Sequence, residues 1–162
     1  MNIVFDLDGT LADDSHRKHY LDRDPKDWNG FYDACDGDNP AYAMMDLMYG
    51  LSKNCDHVVE IWTGRSERVR DKTLRWLRQH MPTDAEFDFF GIEPYFECRG
   101  TILLRMRGVD DFTPDYKLKK QWMDESLRYH KKVNLVFEDR IRVVQMWRSQ
   151  GVLCCHVGGG DF

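Results

Sequence analysis

Short apolar runs alternate with segments of helical spacing along this chain, and that alternation constrains its fold more than any other feature. Asn2–Phe5, Val58–Trp62, Ile102–Met106, Val133–Phe137 and Val152–Val157 read as strands. Val133–Phe137 has the character of a strand buried on both faces. Pro40 occupies a first helical turn after Asn39, and Ala43, Met44, Leu47, Met48 and Leu51 follow at helical spacing. Ser66 can cap a helix bearing Val69, Thr73, Trp76 and Leu77, which ends near His80–Pro82. A third helix starts at Asp115 and carries Leu118, Trp122 and Leu127. A fourth carries Val143, Val144 and Trp147 and stops at Gly151. Strands separated by helices cannot form hairpins, so the pattern predicts an α/β fold with a mostly parallel sheet flanked by helices on both sides.

Two stretches break the pattern. Residues 13–39 are polar and aromatic without a clean period, and residues 83–100 are similar. Long insertions in such folds sit at a sheet edge or over the active site. The first is read as a small lid after strand one. The 162 residues fit one domain, 1–162, with 13–39 as its lid.

Composition narrows the class. A hydrophobic fraction of 42% is too high for disorder. No apolar run approaches the roughly 20 residues of a membrane span. The chain opens directly into a strand-like run, with no basic leader or secretory core. The five cysteines, Cys35, Cys55, Cys98, Cys154 and Cys155, show no Cys-x-x-Cys spacing. They read as reduced thiols, and the expected compartment is the cytoplasm. Zinc has no support, and His16 and His19 lack a third ligand and read as a solvated lid face. Met44, Met45 and Met48 read as helix core, and Gly158-Gly159-Gly160 as a turn. The net charge is −5. That balance favours recognition of a terminus or a mononucleotide over tracking of a long strand.

The chemistry concentrates in Asp6-Leu7-Asp8-Gly9-Thr10-Leu11, directly after the first strand. Ligands of open parallel sheets bind beyond the carboxyl ends of strands. Two aspartates two residues apart point to opposite faces of an extended chain, but a turn at Gly9 lets both reach one pocket. The string resembles the first signature of the haloacid-dehalogenase (HAD) superfamily of phosphotransferases. Candidates for its other signatures follow in order: Thr63 in Trp62-Thr63-Gly64-Arg65, Lys119 at the start of a helix, and Glu138-Asp139 after the strand Val133–Phe137.

The resemblance implies a Rossmann-like HAD fold and a set of roles. Asp6 is the nucleophile that forms an aspartyl-phosphate. Asp8 protonates the leaving oxygen and then activates water, a task for a carboxylate whose pKa can approach working pH. Mg2+ is the implied cofactor, held by Asp6, the backbone carbonyl of Asp8, and Asp139, with Glu138 orienting Asp139 or a metal-bound water. Thr63 binds the transferring phosphoryl group and Lys119 neutralises charge on it. Lys117 competes for that place; Lys119 is preferred because the helix's apolar face continues from it at Trp122.

Further strings narrow the likeness. Thr63-Gly64-Arg65, Glu138-Asp139-Arg140, the block Ile102–Arg107, and Gly160-Asp161-Phe162 are similar to the phosphatase domain of phage polynucleotide kinase–phosphatases. That family removes 3′-phosphates from nucleic acid ends and nucleotides. Carried over residue by residue, Arg17, Arg65, Arg107 and Arg140 become substrate-cleft arginines, apt for binding phosphate oxygens. Arg140 could instead brace the Glu138-Asp139 pair. The sequence holds no Gly-x-x-x-x-Gly-Lys-Ser/Thr loop, so the kinase half is absent from it. A separate polynucleotide kinase and a ligase are the implied partners. Rival readings are a 5′-nucleotidase or other small-molecule phosphatase, and a non-catalytic module that binds nucleic acid ends. Trp28, Phe31 and Tyr32 either pin the lid to the body, the favoured reading, or stack on a base.

Overall fold

A computed structural model describes residues 1–89, 100–128 and 131–158. Six strands form one parallel sheet: β1 (Asn2–Phe5), β4 (Val58–Ser66), β5 (Glu86–Phe89), β6 (Thr101–Arg107), β7 (Val133–Glu138) and β8 (Leu153–His156), in the order β5-β6-β4-β1-β7-β8. A separate two-residue ribbon pairs β2 (Ala12–Asp13) with β3 (Asn39–Pro40), antiparallel, and ties the two ends of the lid together. Helices α1 (Trp28–Asp33), α2 (Tyr42–Ser52), α3 (Arg70–His80), α4 (Asp115–Arg128) and α5 (Ile141–Ser149) complete the chain.

Strand β1 is buried on both faces and lies inside the sheet. Its Ile3 and Phe5 pack with Met45, Met48, Trp76 and Leu77 from α2 and α3. Its Val4 packs on the other face with Trp62 from β4, and with Leu118, Trp122, Val143 and Trp147 from α4 and α5. Alternate side chains of one strand thus enter two cores, as a sheet with helices on both faces requires. The expected α/β architecture is present.

Local departures have simple causes. Pro40 belongs to β3 and the helix starts two residues later, at Tyr42. Ser66 caps a single 3-10 turn, Glu67–Val69, accepting from the Arg68 N–H, before α3 begins. Leu127 is exposed and not on the buried stripe of α4. It lies nine residues beyond Leu118, about two and a half turns, which is the opposite side of a helix. Strand β5 falls inside the stretch set aside as irregular and pairs with β6 at the sheet edge. Its four residues alternate polar and aromatic, but too briefly to signal a strand. Gly159–Phe162, Cys98 and most of the second insertion lie outside the described residues. Among the described residues no helix is long and apolar enough to cross a membrane, and Cys35, Cys55, Cys154 and Cys155 are unpaired thiols.

Candidate active site

The carboxyl ends of β1, β4 and β7 bring Asp6, Thr63 and Glu138 to one edge of the sheet. The Asp6 N–H continues the β1–β7 ladder by donating to Phe137 O (2.9 Å), which sets Asp6 beside Glu138 and Asp139. Gly9 then turns the chain with φ +87, and a Cβ there would come within 2.1 Å of an Asp139 carboxylate oxygen. Only glycine satisfies both conditions. Gly9→Ala is therefore expected to cost roughly 1–3 kcal/mol and to displace Asp139, checked by thermal denaturation and by activity.

From α4, the Lys119 ammonium donates to Asp6 Oδ1 (2.5 Å) and Glu138 Oε2 (2.7 Å), and Asp115 Oδ2 lies 3.6 Å away. Burial would lower the Lys119 pKa, but these three carboxylates hold it well above its usual value. Lys117 is exposed and near the Tyr116 ring, so Lys119 is the lysine that reaches the carboxylates. Burial, reinforced by Glu138, pushes Asp6 well above the normal carboxylate range. Burial also raises Glu138 to about 7, and burial together with Asp6 raises Asp139 to about 7. One ligand oxygen from each of Asp6, Glu138 and Asp139 lies within 4.8 Å of the others. Asp139 Oδ1 is buried without a hydrogen-bond partner. A cluster of hard oxygen donors with an orphaned oxygen fits a hard divalent cation.

Asp8 has a different setting. Arg17 Nη2 (2.5 Å) and Arg65 Nε (2.8 Å) both donate to its Oδ1. Burial would raise its pKa, yet Arg65 and Arg17 hold it well below the usual range. The expected carboxyl near working pH is not what this arrangement provides; two buried guanidiniums outweigh desolvation. The same arginines are shared with Asp38: Arg17 Nε and Nη2 and Arg65 Nη2 donate to its two oxygens at 2.5–2.8 Å. Arg17 and Arg65 are fully buried and stand behind Asp8, outside the cavity lining. Thr63 is also fully buried, and its hydroxyl oxygen accepts from the Arg65 N–H (3.1 Å).

Arg107 and Arg140 do line the cavity, a space of about 260 Å³ opening on Asp6 and Asp8. Arg107 donates to Gly64 O (2.9 Å), to Asp111 O (3.3 Å) and to Thr113 O, so it fastens the loop between β6 and α4. Arg140 is half exposed and sits 3.7 Å from Asp115 Oδ2. Burial would lower its pKa, but Asp115, Asp6 and Asp139 raise it. Its side chain lies among anionic groups at the cavity mouth. The lid aromatics divide: Phe31 lies under Arg17 (4.1 Å) and the Tyr32 hydroxyl donates to Gly64 O (3.3 Å), while Trp28 is exposed on the cavity wall. Asp38 and Asp115 had not been singled out as site residues. Asp115 carried a signal, an acidic residue one turn before Lys119 at a helix start. Asp38 carried none.

This sheet, with two aspartates after its inner strand and a lysine answering from α4, defines a HAD-type fold. It superposes on a HAD family enzyme of Bacteroides thetaiotaomicron, solved with magnesium and inorganic phosphate, at a TM-score of 0.52 and 11% identity, over 99% of this chain and 96% of that one. The family model of the polynucleotide kinase PNKP phosphatase domain matches residues 1–162, and the chain belongs to that family. A chain of the Pnkp1/Rnl/Hen1 complex aligns at a TM-score of 0.73 and 25% identity, covering 99% of this chain and 47% of that one. A protein of Autographa californica nuclear polyhedrosis virus, named as a bifunctional polynucleotide kinase/RNA ligase, is 27% identical over 147 residues, 91% of this chain and 18% of that protein. The chain thus spans less than half the length of either relative.

Proposed function

We propose that this phosphatase domain removes 3′-phosphates from nucleic acid ends or nucleotides, with Mg2+ as cofactor. The observation that carries the reading is the convergence of Lys119, Glu138 and Asp139 on Asp6, which itself lines a cavity together with Asp8 and Arg140. Asp6 attacks phosphorus: an Asp6 oxygen–phosphorus bond forms and the ester oxygen–phosphorus bond breaks. Asp8 hands a proton to the departing oxygen, then takes one from the water that cleaves the aspartyl-phosphate. An arriving phosphate dianion raises the Asp8 pKa, the direction the acid step needs. Lys119 neutralises charge on Asp6 and the phosphoryl oxygens, Thr63 hydrogen-bonds that group, and Arg140 holds it at the mouth. Arg17, Arg65 and Asp38 keep Asp8 aimed, and Arg107 holds the cavity wall. Asp6, Asp139 and the Asp8 carbonyl would hold Mg2+, with Glu138 beside them. The ion supplies neutralisation of the gathered anionic charge.

The whole chain acts as one domain with 13–39 as its lid. Relatives named for kinase, ligase and RNA repair support a polynucleotide kinase and a ligase as partners on the same ends. A reducing cytoplasm suits the unpaired thiols. The test is phosphate release from 3′-dTMP, 5′-dTMP and matched 3′- or 5′-phosphorylated oligonucleotides, with Mg2+ and with EDTA. Preference for the 3′-phosphates, lost in EDTA and restored by Mg2+, is the expected result. Preference for 5′-dTMP would move the enzyme to nucleotide metabolism and overturn the 3′ assignment.

A further inference from the structure

We propose that Trp28 and Phe112 are the walls of a base-binding subsite that holds the nucleobase of the nucleotide bearing the scissile phosphate. This rests on the reading that a nucleotide phosphoester enters the cavity beside Asp6. Three large apolar side chains in that lining are exposed: Trp28 at 44%, Val109 at 56% and Phe112 at 87%. They come from two separate parts of the chain, the lid helix α1 and the loop between β6 and α4. Apolar surface gathered in one polar-rimmed cavity marks a place where a ligand covers it.

Both aromatics are held in place from behind. Phe112 sits at the crest of a loop clamped by Arg107, which donates to the carbonyls of Asp111 and Thr113 on either side of it. The Asp111 carboxylate accepts the Thr113 N–H (2.8 Å) and closes the same turn. Trp28 opens α1, whose cap Asp27 accepts the Gly30 N–H (2.8 Å). It packs against Phe31 (6.1 Å) and Tyr32 (6.0 Å), and those two are themselves tied to Arg17 and Gly64. The backbone on either side of Phe112 and the ring of Trp28 are therefore held by their neighbours.

The cavity lining carries two chemistries: Asp6, Asp8 and Arg140 are charged, and Trp28, Val109, Phe112 and Pro114 supply apolar wall. The complementary ligand has a phosphate on one side and a flat apolar face on the other, as a nucleotide does. Stacking on aromatic faces tolerates every base, since each has a π face. The subsite thus reads the presence of a base rather than its identity.

The experiment measures binding to the Asp6→Asn variant by calorimetry in Mg2+. The two probes are 3′-dTMP and its baseless counterpart, 1,2-dideoxyribose 3-phosphate. The nucleotide should bind roughly tenfold tighter than the baseless phosphate. Trp28→Ala and Phe112→Ala, each made in that background, should bring the ratio of the two dissociation constants close to one, while Trp28→Phe should keep most of it. Equal affinity for both probes would overturn the subsite and leave the phosphatase reading standing. So would a ratio that survives both alanine substitutions. Failure to bind either phosphate would overturn both readings.

Discussion

Asp6→Asn should abolish phosphate release, by roughly a thousandfold or more, in a protein that remains folded. The size of the effect follows from the role. An amide cannot form the covalent aspartyl-phosphate, and loss of a nucleophile removes a whole two-step route. Folding should survive because the lost carboxylate is itself a burden. Burial and Glu138 raise the Asp6 pKa, so its ionised form is less stable folded than unfolded at neutral pH. Lys119 keeps Glu138 at 2.7 Å and Asp115 at 3.6 Å. In EDTA the melting temperature should hold or rise. Phosphate release and acid-quenched trapping of the phosphoenzyme check the first half, and thermal denaturation checks the second. Near-normal turnover by the variant would remove Asp6 from its role. Binding of DNA ends without phosphate release from any ester, in the unsubstituted protein, would favour the end-binding module instead.

Asp38→Ala should have the largest effect on stability, about 3–5 kcal/mol. Arg17, Arg65 and the Asp38 side chain are all fully buried. With Asp38 gone, two guanidiniums converge on Asp8 alone, and one buried charge is left uncompensated. The Trp76 indole also donates to Asp38 O (2.9 Å), but that backbone contact survives the substitution. In a chain of this size the loss corresponds to a fall in melting temperature of about 10 °C or more. Asp38→Asn keeps one acceptor oxygen and should fall between wild type and alanine. A shift below about 2 °C for Asp38→Ala would mean that the cluster carries little of the fold.

The strand–helix alternation was legible because the inner strands β1, β4 and β6 are largely buried on both sides, and because the helices between the strands carry buried apolar residues at helical spacing. Asp6, Asp8 and Glu138-Asp139 were legible because they follow strands whose carboxyl ends must share one edge of a parallel sheet. The arginines were legible only as anion binders. Side-chain type announces a need for an anion or acceptor but not which one. For Arg17 and Arg65 it is a pair of protein carboxylates, and for Arg107 it is mainly main-chain carbonyls. Asp38 could not be found at all, since it becomes meaningful only when the lid returns beside β3 and sets it against two residues far away in sequence. Phe112 was missed for a similar reason. An exposed aromatic in a loop means nothing until Trp28 lines the same space.

The buried pairs around Asp38 also fasten residues 13–39 to the sheet. Arg17 and Asp38 belong to residues 13–39, whereas Asp8 follows β1 and Arg65 lies in β4, and the Arg17–Asp8 and Arg65–Asp38 pairs join the two parts. Moving that segment away would break the Arg17–Asp8 and Arg65–Asp38 pairs, while Arg17–Asp38 and Arg65–Asp8 would stay together on either side. Residues 13–39 are thus anchored through buried ion pairs to the same aspartate that serves the site. Trp28, carried by the same segment, keeps its place beside the cavity for as long as those pairs hold.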